Sequence, residues 1–202
     1  MAAAADDLKI AVIGGSGLYS MEGLRTVREV YPMTPWGYPS DKVWKLEAHA
    51  SLVHHRGDNL GERGQQVAFL ARHGQGHVFN PSEIPVRANI AALKSLGVQV
   101  IIAYSAVGSL REEIRPRDFV LPYQIIDRTK GIRPSTFFEG GLTSHVAFAD
   151  PFCKPLANLI SAQASALAGQ VTLHQGKTLV CMEGPAFSTR AESNLYRAWG
   201  GD

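Results

Sequence analysis

The amino-acid sequence predicts a three-layer α/β domain. Short apolar runs alternate along the chain with segments of helical periodicity, an order typical of a sheet that carries helices on its faces. The chain has 202 residues, of which 45% are hydrophobic and 19% are charged. This length and composition are sufficient for one domain with a substantial core, so we expect a single domain over residues 1–202.

The first strand is predicted over residues 8–13, an apolar run that leads directly into Gly-Gly-Ser-Gly at residues 14–17. Glycines let the backbone approach an anion closely and Ser16 adds a hydroxyl donor, so this loop is typical of a phosphate cradle. It lacks the Gly-Lys-Ser/Thr of a Walker loop, and Ser20 stands where a dinucleotide-binding fingerprint has its third glycine. A plain tight turn is the alternative.

A more polar interval follows. Residues 34–39 combine two prolines with a glycine and predict a turn, and residues 43–46 alternate like a strand. Residues 49–66 are polar, rich in His, Gly and Arg, and long for a connection between strands. We expect an exposed loop insertion there, with His54 and His55 in solvent.

The strongest site signal is a strand predicted over residues 67–71 with the loop Arg-His-Gly-Gln-Gly-His after it, at residues 72–77. Five apolar residues ended by glycines predict a buried strand rather than a helix. Arg72 and His73 then lie at the carboxyl end of that strand, where open α/β sheets bind ligands. A guanidinium beside an imidazole suits phosphate oxygens, which indicates an anion site. The alternative is a surface loop with a structural histidine.

Further alternation of helix and strand follows. Apolar residues at three- and four-residue spacing predict a helix over residues 81–96, ended by Gly97. A strand over residues 98–104 opens into a loop of small residues at 105–109, and another strand covers residues 118–126.

The last third of the chain continues the pattern. A helix is predicted over residues 150–169, begun by the Asp-Pro pair at its start as N-cap and N1. A strand over residues 178–182 leads through a short loop to a helix that runs to Trp199, whose start is marked by a capping box between Thr189 and Glu192. Four strand ends, after residues 13, 71, 104 and 182, are thus predicted to meet at one rim.

Charge and targeting patterns exclude several classes of protein. The net charge of +2 is dispersed, without the basic stripe of a nucleic-acid-binding surface. No apolar run approaches the length of a membrane span, and the first seven residues do not resemble a signal peptide. Cys153 and Cys181 lack disulfide or metal-ligand spacing, which indicates a reducing compartment. We expect a cytoplasmic protein, with the nucleus as a second location.

Four motifs in one order resemble the methylthioadenosine branch of the trimeric purine nucleoside phosphorylase family. They are Ile13-Gly-Gly-Ser-Gly-Leu18, Ala71-Arg-His-Gly74, Ser105-Ala-Val-Gly-Ser-Leu-Arg111 and Glu183-Gly-Pro-Ala-Phe-Ser-Thr-Arg-Ala-Glu-Ser193. The resemblance covers nearly the whole chain except residues 49–66. It implies a mixed, twisted central sheet flanked by helices, and phosphorolysis of 5′-methylthioadenosine to adenine and 5-methylthioribose 1-phosphate.

The resemblance also implies a set of site residues. Phosphate would be held by Ser16, Arg72, His73, Ser105 and Ala106. His77 and His145 would lie near the 5′ end of the nucleoside, with His145 reaching across from a neighbouring subunit of a homotrimer, and Phe187 and Ser188 would flank the sugar and base. Phosphate is itself the nucleophile and co-substrate, so no cofactor, metal or catalytic nucleophile of the protein is implied. As alternatives, His145 caps a loop and Phe187 belongs to the core.

The chain ends at residues 200–202, where family members continue with a further strand, an acidic residue at the purine and a closing helix. We therefore expect a truncated product with an incomplete nucleoside phosphorylase domain. A second hypothesis follows, that of a catalytically incomplete subunit that binds phosphate and oligomerises. Within the family, phosphorolysis of 6-oxopurine nucleosides such as inosine is the alternative.

Two further classes fit the residues less well. Histidine phosphatases also place Arg-His-Gly after a strand, but there the motif ends the first strand, and residues 183–193 stay unexplained. Zinc binding by His73 and His77 is disfavoured because the glycines between them argue against the helix that would bring both rings onto one face.

Overall fold

The computed structural model describes residues 8–15, 24–48, 66–129, 131–167, 169 and 171–202. The chain separates into two compact units, one ending at Ala106 and one beginning at Val107, and each is described by itself. The single domain expected over residues 1–202 stays a prediction. The predicted insertion lies almost wholly outside the described residues, and His54 and His55 lie outside them too. No described helix has the length and apolar character needed to cross a membrane.

The first unit is built on one mixed sheet. Its elements are β1 (Ile10–Gly14), β2 (Leu24–Val30), β3 (Val43–Ala48), β4 (Gln66–Ala71), α1 (Val86–Ser95) and β5 (Val100–Ala103). The strand order is β2-β3-β4-β1-β5. β1 runs parallel to both β4 and β5, whereas β3 pairs antiparallel with β2 and β4. The strands predicted at residues 8–13, 43–46, 67–71 and 98–104 are therefore confirmed with small changes at their ends.

The centre of this sheet is buried on both faces. Ala68 and Leu70 of β4 belong to one apolar cluster, to which α1 contributes Leu93, while Phe69 and Ala71 belong to a second cluster on the opposite face. Successive side chains of a strand point to opposite faces, so the buried part of β4, residues 68–71, needs apolar residues at every position. The continuous apolar run read from the sequence is the consequence.

The first predicted helix begins later than expected. Residues 80–83 form a separate turn, in which the Glu83 amide donates to the Asn80 carbonyl (2.9 Å) and the Glu83 carboxylate accepts from the Asn80 amide (2.8 Å). α1 then begins after Pro85, which lacks an amide proton and is tolerated only at a helix start. The predicted end is confirmed, since Gly97 has a φ of +89°, the left-handed conformation favoured by glycine.

The second unit contains two parallel strands and two helices. Its elements are β6 (Phe119–Asp127), α2 (Lys154–Ser161), β7 (Leu173–Cys181) and α3 (Arg190–Ala198). β6 and β7 form a two-stranded parallel sheet. The capping box predicted for α3 is confirmed, because the Glu192 amide donates to the Thr189 hydroxyl (3.2 Å) and the Thr189 amide donates to the Glu192 carboxylate (2.7 Å).

The helix predicted over residues 150–169 is wrong in its bounds. α2 covers eight residues, its N-cap is Cys153 rather than Asp150, and proline occupies its first turn at residue 155 rather than 151. Proline is favoured in the first turn of a helix. Pro151 and Pro155 therefore mark two competing helix starts, and the helix uses the second. Beyond α2, a short 3₁₀ helix at Ala164–Leu167 replaces the expected α-helical turns.

A buried carboxylate ties together the amino ends of β6 and β7. Asp118 accepts hydrogen bonds from the His174 ring (3.0 Å) and the amides of Thr172 (3.0 Å) and Arg115 (3.1 Å), and its side chain is only 4% exposed. These partners, above all His174, lower the pKa of Asp118 to about 2. The ionised form is therefore the form that the folded chain stabilises.

The low pKa of Asp118 predicts acid sensitivity. The unfolded carboxyl titrates near pH ~3.9, so the stabilisation is complete above that pH and is lost as the pH falls towards about 2. We expect Asp118→Asn to be less stable than the unaltered chain at pH 5 and the difference to shrink between pH 4 and 2.5. Urea unfolding of both proteins across this range measures it, and a constant difference would contradict the assignment.

Candidate functional site

The carboxyl ends of three parallel strands meet at one edge of the sheet in the first unit. The register aligns Ile13 of β1 with Leu70 of β4 and Ala103 of β5. The ladder extends one step further, because the Arg72 amide donates to the Gly14 carbonyl (3.1 Å) and the Tyr104 amide to the Ile13 carbonyl (2.9 Å). Three of the four predicted strand ends therefore converge, whereas the fourth, at the end of β7, belongs to the sheet of the second unit.

The Arg72 guanidinium lies between the loops that follow β1 and β5. Its Nη1 donates to the Tyr104 carbonyl at 2.6 Å. On the other side, a Cβ atom at Gly15 would lie 2.9 Å from Arg72 Nη2, closer than real Cβ contacts. The absence of a side chain at Gly15 lets the guanidinium lie directly against the backbone in this position, and a larger residue would displace the Arg72 side chain. The arrangement holds a fixed positive charge at the strand edge.

His73 is a buried, oriented imidazole beside this charge. It is 7% exposed, and its Nδ1 lies 2.9 Å from the Phe79 carbonyl oxygen. A carbonyl only accepts, so Nδ1 carries the proton, and Nε2 of the neutral ring is left as an acceptor. Burial lowers the pKa of His73 below its ordinary value, and the charges of Arg72 and His77 act in the same direction, against the Phe79 carbonyl. His73 is therefore neutral at pH 7.

The loop after β4 turns back sharply and stacks its two imidazoles. The rings of His73 and His77 lie with centroids 4.2 Å apart and planes 10° from parallel. The turn depends on Gly74, whose φ is +71° and where a Cβ would approach Val78 to 2.9 Å. His77 itself has a φ of +59° and is exposed, so its ring is presented at the surface beside the buried His73.

Two buried polar residues, neither of them predicted from the sequence, support the end of β4 through a relay of hydrogen bonds. The Ser40 hydroxyl donates to the Ala71 carbonyl (2.8 Å), and the Ser40 amide donates to the Asn89 side-chain oxygen (2.7 Å). Both residues are buried, at 6% and 3% exposure. The available signal was Asn89 itself, a polar residue four positions before Leu93 on the apolar face of α1. The relay fixes the backbone immediately before Arg72.

The remaining residues predicted to bind phosphate are Ser105, Ala106 and Ser16. Ser105 and Ala106 are exposed on the loop after β5, directly beyond the Tyr104 carbonyl that Arg72 contacts. Ser16 lies outside the described residues.

Three predicted residues belong to the second unit. His145 is exposed, and Phe187 is 94% exposed, so the alternative that Phe187 is a core residue is wrong. The Ser188 hydroxyl contacts the Met182 sulfur at 2.8 Å. The part of the chain that the structure describes contains no cluster of three or more His, Cys, Asp or Glu side chains that could hold a metal ion.

Comparison with known sequences gives relatives over nearly the whole chain. A sequence profile of the phosphorylase superfamily matches residues 9–202. The S-methyl-5′-thioadenosine phosphorylase of Neurospora crassa is 58% identical over 193 residues, and that of Sclerotinia sclerotiorum is 55% identical over 197 residues. These alignments cover 95% and 97% of this chain but 58% and 60% of the relatives, so the chain spans about three fifths of their length.

Solved structures agree with the predicted fold. The crystal structure of a methylthioadenosine phosphorylase sourced from an Antarctic soil metagenomic library has a TM-score of 0.85 at 48% identity, covering 98% of this chain and 64% of that one. The methylthioadenosine phosphorylase of Schistosoma mansoni in its apo form has a TM-score of 0.79 at 32% identity, covering 96% and 71%. The α/β fold of nucleoside phosphorylases, predicted from four motifs, is thereby confirmed, and the chain belongs to the phosphorylase superfamily.

Proposed function

We propose that this chain carries the phosphate-binding and nucleoside-facing parts of an enzyme that converts 5′-methylthioadenosine and phosphate to adenine and 5-methylthioribose 1-phosphate. This is a salvage reaction for purines and methionine. The position of Arg72 is the observation that carries the proposal, because its guanidinium lies against Gly15 and the Tyr104 carbonyl at the edge where the carboxyl ends of β1, β4 and β5 meet. The names of the relatives from N. crassa and S. sclerotiorum support the choice of nucleoside.

Phosphate is the nucleophile in this proposal, so the chain's task is to hold and orient it. Arg72 supplies the charge, and the neutral His73 ring accepts a hydrogen bond at Nε2 from the hydroxyl of hydrogen phosphate. Backbone amides of the loop at Ser105 and Ala106 supply donors, together with Ser16 after β1. Attack on the anomeric carbon passes through a state with oxocarbenium character. A phosphate held close to that carbon both forms the new C–O bond and balances the developing positive charge.

The nucleoside contacts are proposed for four side chains. His77 is exposed beside the buried His73, which suits a contact to the 5′ end of the nucleoside. His145 is proposed for the same end, contributed by a neighbouring subunit. Phe187, at 94% exposure, offers a ring for stacking or packing against the sugar and base, with Ser188 next to it.

The partners and location belong to the same proposal. We propose a homotrimer in which His145 of one subunit completes the site of the next, with phosphate as co-substrate and no cofactor. Membrane and nucleic acid have no place in this reaction. We propose the cytoplasm as the location, with the nucleus as a second one.

The test is phosphate-dependent release of adenine from 5′-methylthioadenosine by the purified 202-residue chain. The S. sclerotiorum relative serves as the positive control, and reactions without phosphate and with inosine serve as negative controls. Release that requires phosphate and exceeds release from inosine supports the proposal. Release of hypoxanthine in preference to adenine would instead support the 6-oxopurine alternative.

A second outcome has its own interpretation, because the chain spans only about three fifths of its relatives' length. If the chain binds phosphate and forms trimers but releases no base, the hypothesis of a catalytically incomplete subunit is supported. Absence of both phosphate binding and base release would contradict the proposed site at Arg72 and His73.

A further inference from the structure

The loop that joins β7 to α3, residues 182–188, needs anchoring at both ends to present its side chains in one position. It carries Phe187, which is 94% exposed and therefore not held by packing of its own ring. At the carboxyl end the capping box at Thr189 fixes the start of α3. At the amino end the ladder between β6 and β7 stops at Cys181, so the sheet does not bind the carbonyls that follow.

Arg133 binds this amino end. Its Nη2 donates to the carbonyl oxygens of both Met182 (3.4 Å) and Glu183, while its Nε lies 3.3 Å from the Glu183 carboxylate oxygen Oε1. The Arg133 and Glu183 side chains are only 22% and 21% exposed. One guanidinium therefore contacts two consecutive backbone carbonyls and one side chain.

The Glu183 carboxylate depends on this cation. Both of its oxygens are buried and accept no hydrogen bond from any residue that the structure describes, so the ion pair with Arg133 is its recorded polar contact. A buried carboxylate is costly unless its charge is compensated. The planar fork of arginine, which lysine lacks, is what allows contacts to the carbonyls and the carboxylate at once.

We propose that Arg133 is a positioning residue for the nucleoside, acting through residues 182–188 rather than by touching the substrate. This inference rests on the proposed function for the identity of the ligand. Arg133 belongs to the irregular stretch at residues 131–150, so its contacts tie that stretch to the start of the loop at residues 182–183 within the second unit.

The anchoring is tested by ¹⁵N relaxation on the 202-residue chain, which needs no activity. In the unaltered chain we expect order parameters of about 0.85 at Gly184, Ala186 and Phe187, falling below about 0.6 in Arg133→Gln. Because that variant leaves Glu183 without its counter-charge, the double variant Arg133→Gln/Glu183→Gln is measured beside it and is expected to show the same fall. Arg115→Gln is the matched control. Arg115 lies just before the amino end of β6 and is 70% exposed, so we expect its replacement to leave the order parameters of the loop unchanged.

The link to the nucleoside is tested by the equilibrium dissociation constants for 5′-methylthioadenosine and inorganic phosphate. We expect Arg133→Gln and Arg133→Lys to weaken nucleoside binding roughly tenfold to a hundredfold, the range for losing hydrogen bonds to a charged group, with phosphate binding unchanged. Unchanged order parameters in the double variant would overturn the inference, as would unchanged nucleoside affinity in the presence of a loosened loop. A loosened loop in a chain that binds no nucleoside even without substitution supports the anchoring and contradicts the proposed function.

Discussion

Under the proposed function, replacing Arg72 with glutamine is expected to lower kcat/KM for phosphorolysis about tenfold to a hundredfold, the range for losing hydrogen bonds between a charged group and its bound partner. Glutamine keeps a polar side chain but removes the positive charge that lies between Gly15 and the Tyr104 carbonyl. The loss is expected mainly in the KM for phosphate, because the nucleoside contacts are assigned to other residues. Initial rates at varied phosphate and fixed 5′-methylthioadenosine measure it.

Arg25→Gln is the matched control for this substitution. Arg25 lies on β2 of the same unit, is 66% exposed and pairs with Glu47, away from the strand ends that meet at Arg72. We expect its kcat/KM to stay within about twofold, because the Arg25 guanidinium is largely exposed and lies away from the strand ends that form the candidate anion site. Phosphate titration by calorimetry repeats the comparison without turnover. Equal phosphate affinity in Arg72→Gln and the unaltered chain would contradict the proposed site.

Local sequence patterns predicted the parts of the site that depend on neighbours in sequence. The apolar run of β4 and the glycine-containing loop after it are confirmed, because a strand buried on both faces needs apolar residues throughout and a tight turn needs Gly74. The capping box at Thr189 is confirmed for the same reason, since its two hydrogen bonds join residues three positions apart.

Contacts between distant residues could not be predicted in this way. Asn89 meets Ser40 across 49 positions, and Arg133 meets Glu183 across 50. Each contact depends on strand order and on the path of connecting segments, neither of which is encoded in periodicity. The same limit explains why the pairing of β7 with β6 in a separate sheet was not predicted. A parallel strand can join either of two sheets, and the residues of β7 alone do not distinguish them.

The predicted helix starts were wrong where two local signals in the sequence competed. At α1 the turn at residues 80–83 and Pro85 displaced the start by five residues, and at α2 the pair Asp150-Pro151 lost to Pro155. In both cases the apolar residues at helical spacing follow the proline in the first turn or at the N-cap, and the predicted start lay before it. A proline inside a predicted helix therefore marks the more reliable start, because its fixed φ and missing amide suit only the first turn.

Leu70→Ala is expected to destabilise the first unit by about 2–5 kcal/mol, the range for removing a buried leucine side chain. Leu70 is fully buried, and it packs in the cluster that joins β4 to α1 through Leu93. It also lies two residues before Arg72 in the strand that leads to the candidate anion site. Urea unfolding is followed by tryptophan fluorescence in a background that carries Trp36→Phe and Trp199→Phe, so that the signal comes from Trp44, whose ring lies 5.8 Å from that of Phe69 in this sheet.

Leu159→Ala is the control for this substitution, because it makes the same chemical change at a position outside the core. Leu159 lies on α2 in the second unit and is 67% exposed, so its loss is expected to change the free energy of unfolding by no more than about 0.5 kcal/mol. Both variants remove the same atoms, and the difference in propensity between a strand and a helix site is at most about 1 kcal/mol, so a larger difference in the free energy of unfolding measures burial. If Leu70→Ala were as mild as Leu159→Ala, β4 would not be the centre of the core, and the rigid support inferred for Arg72 and His73 would be lost with it.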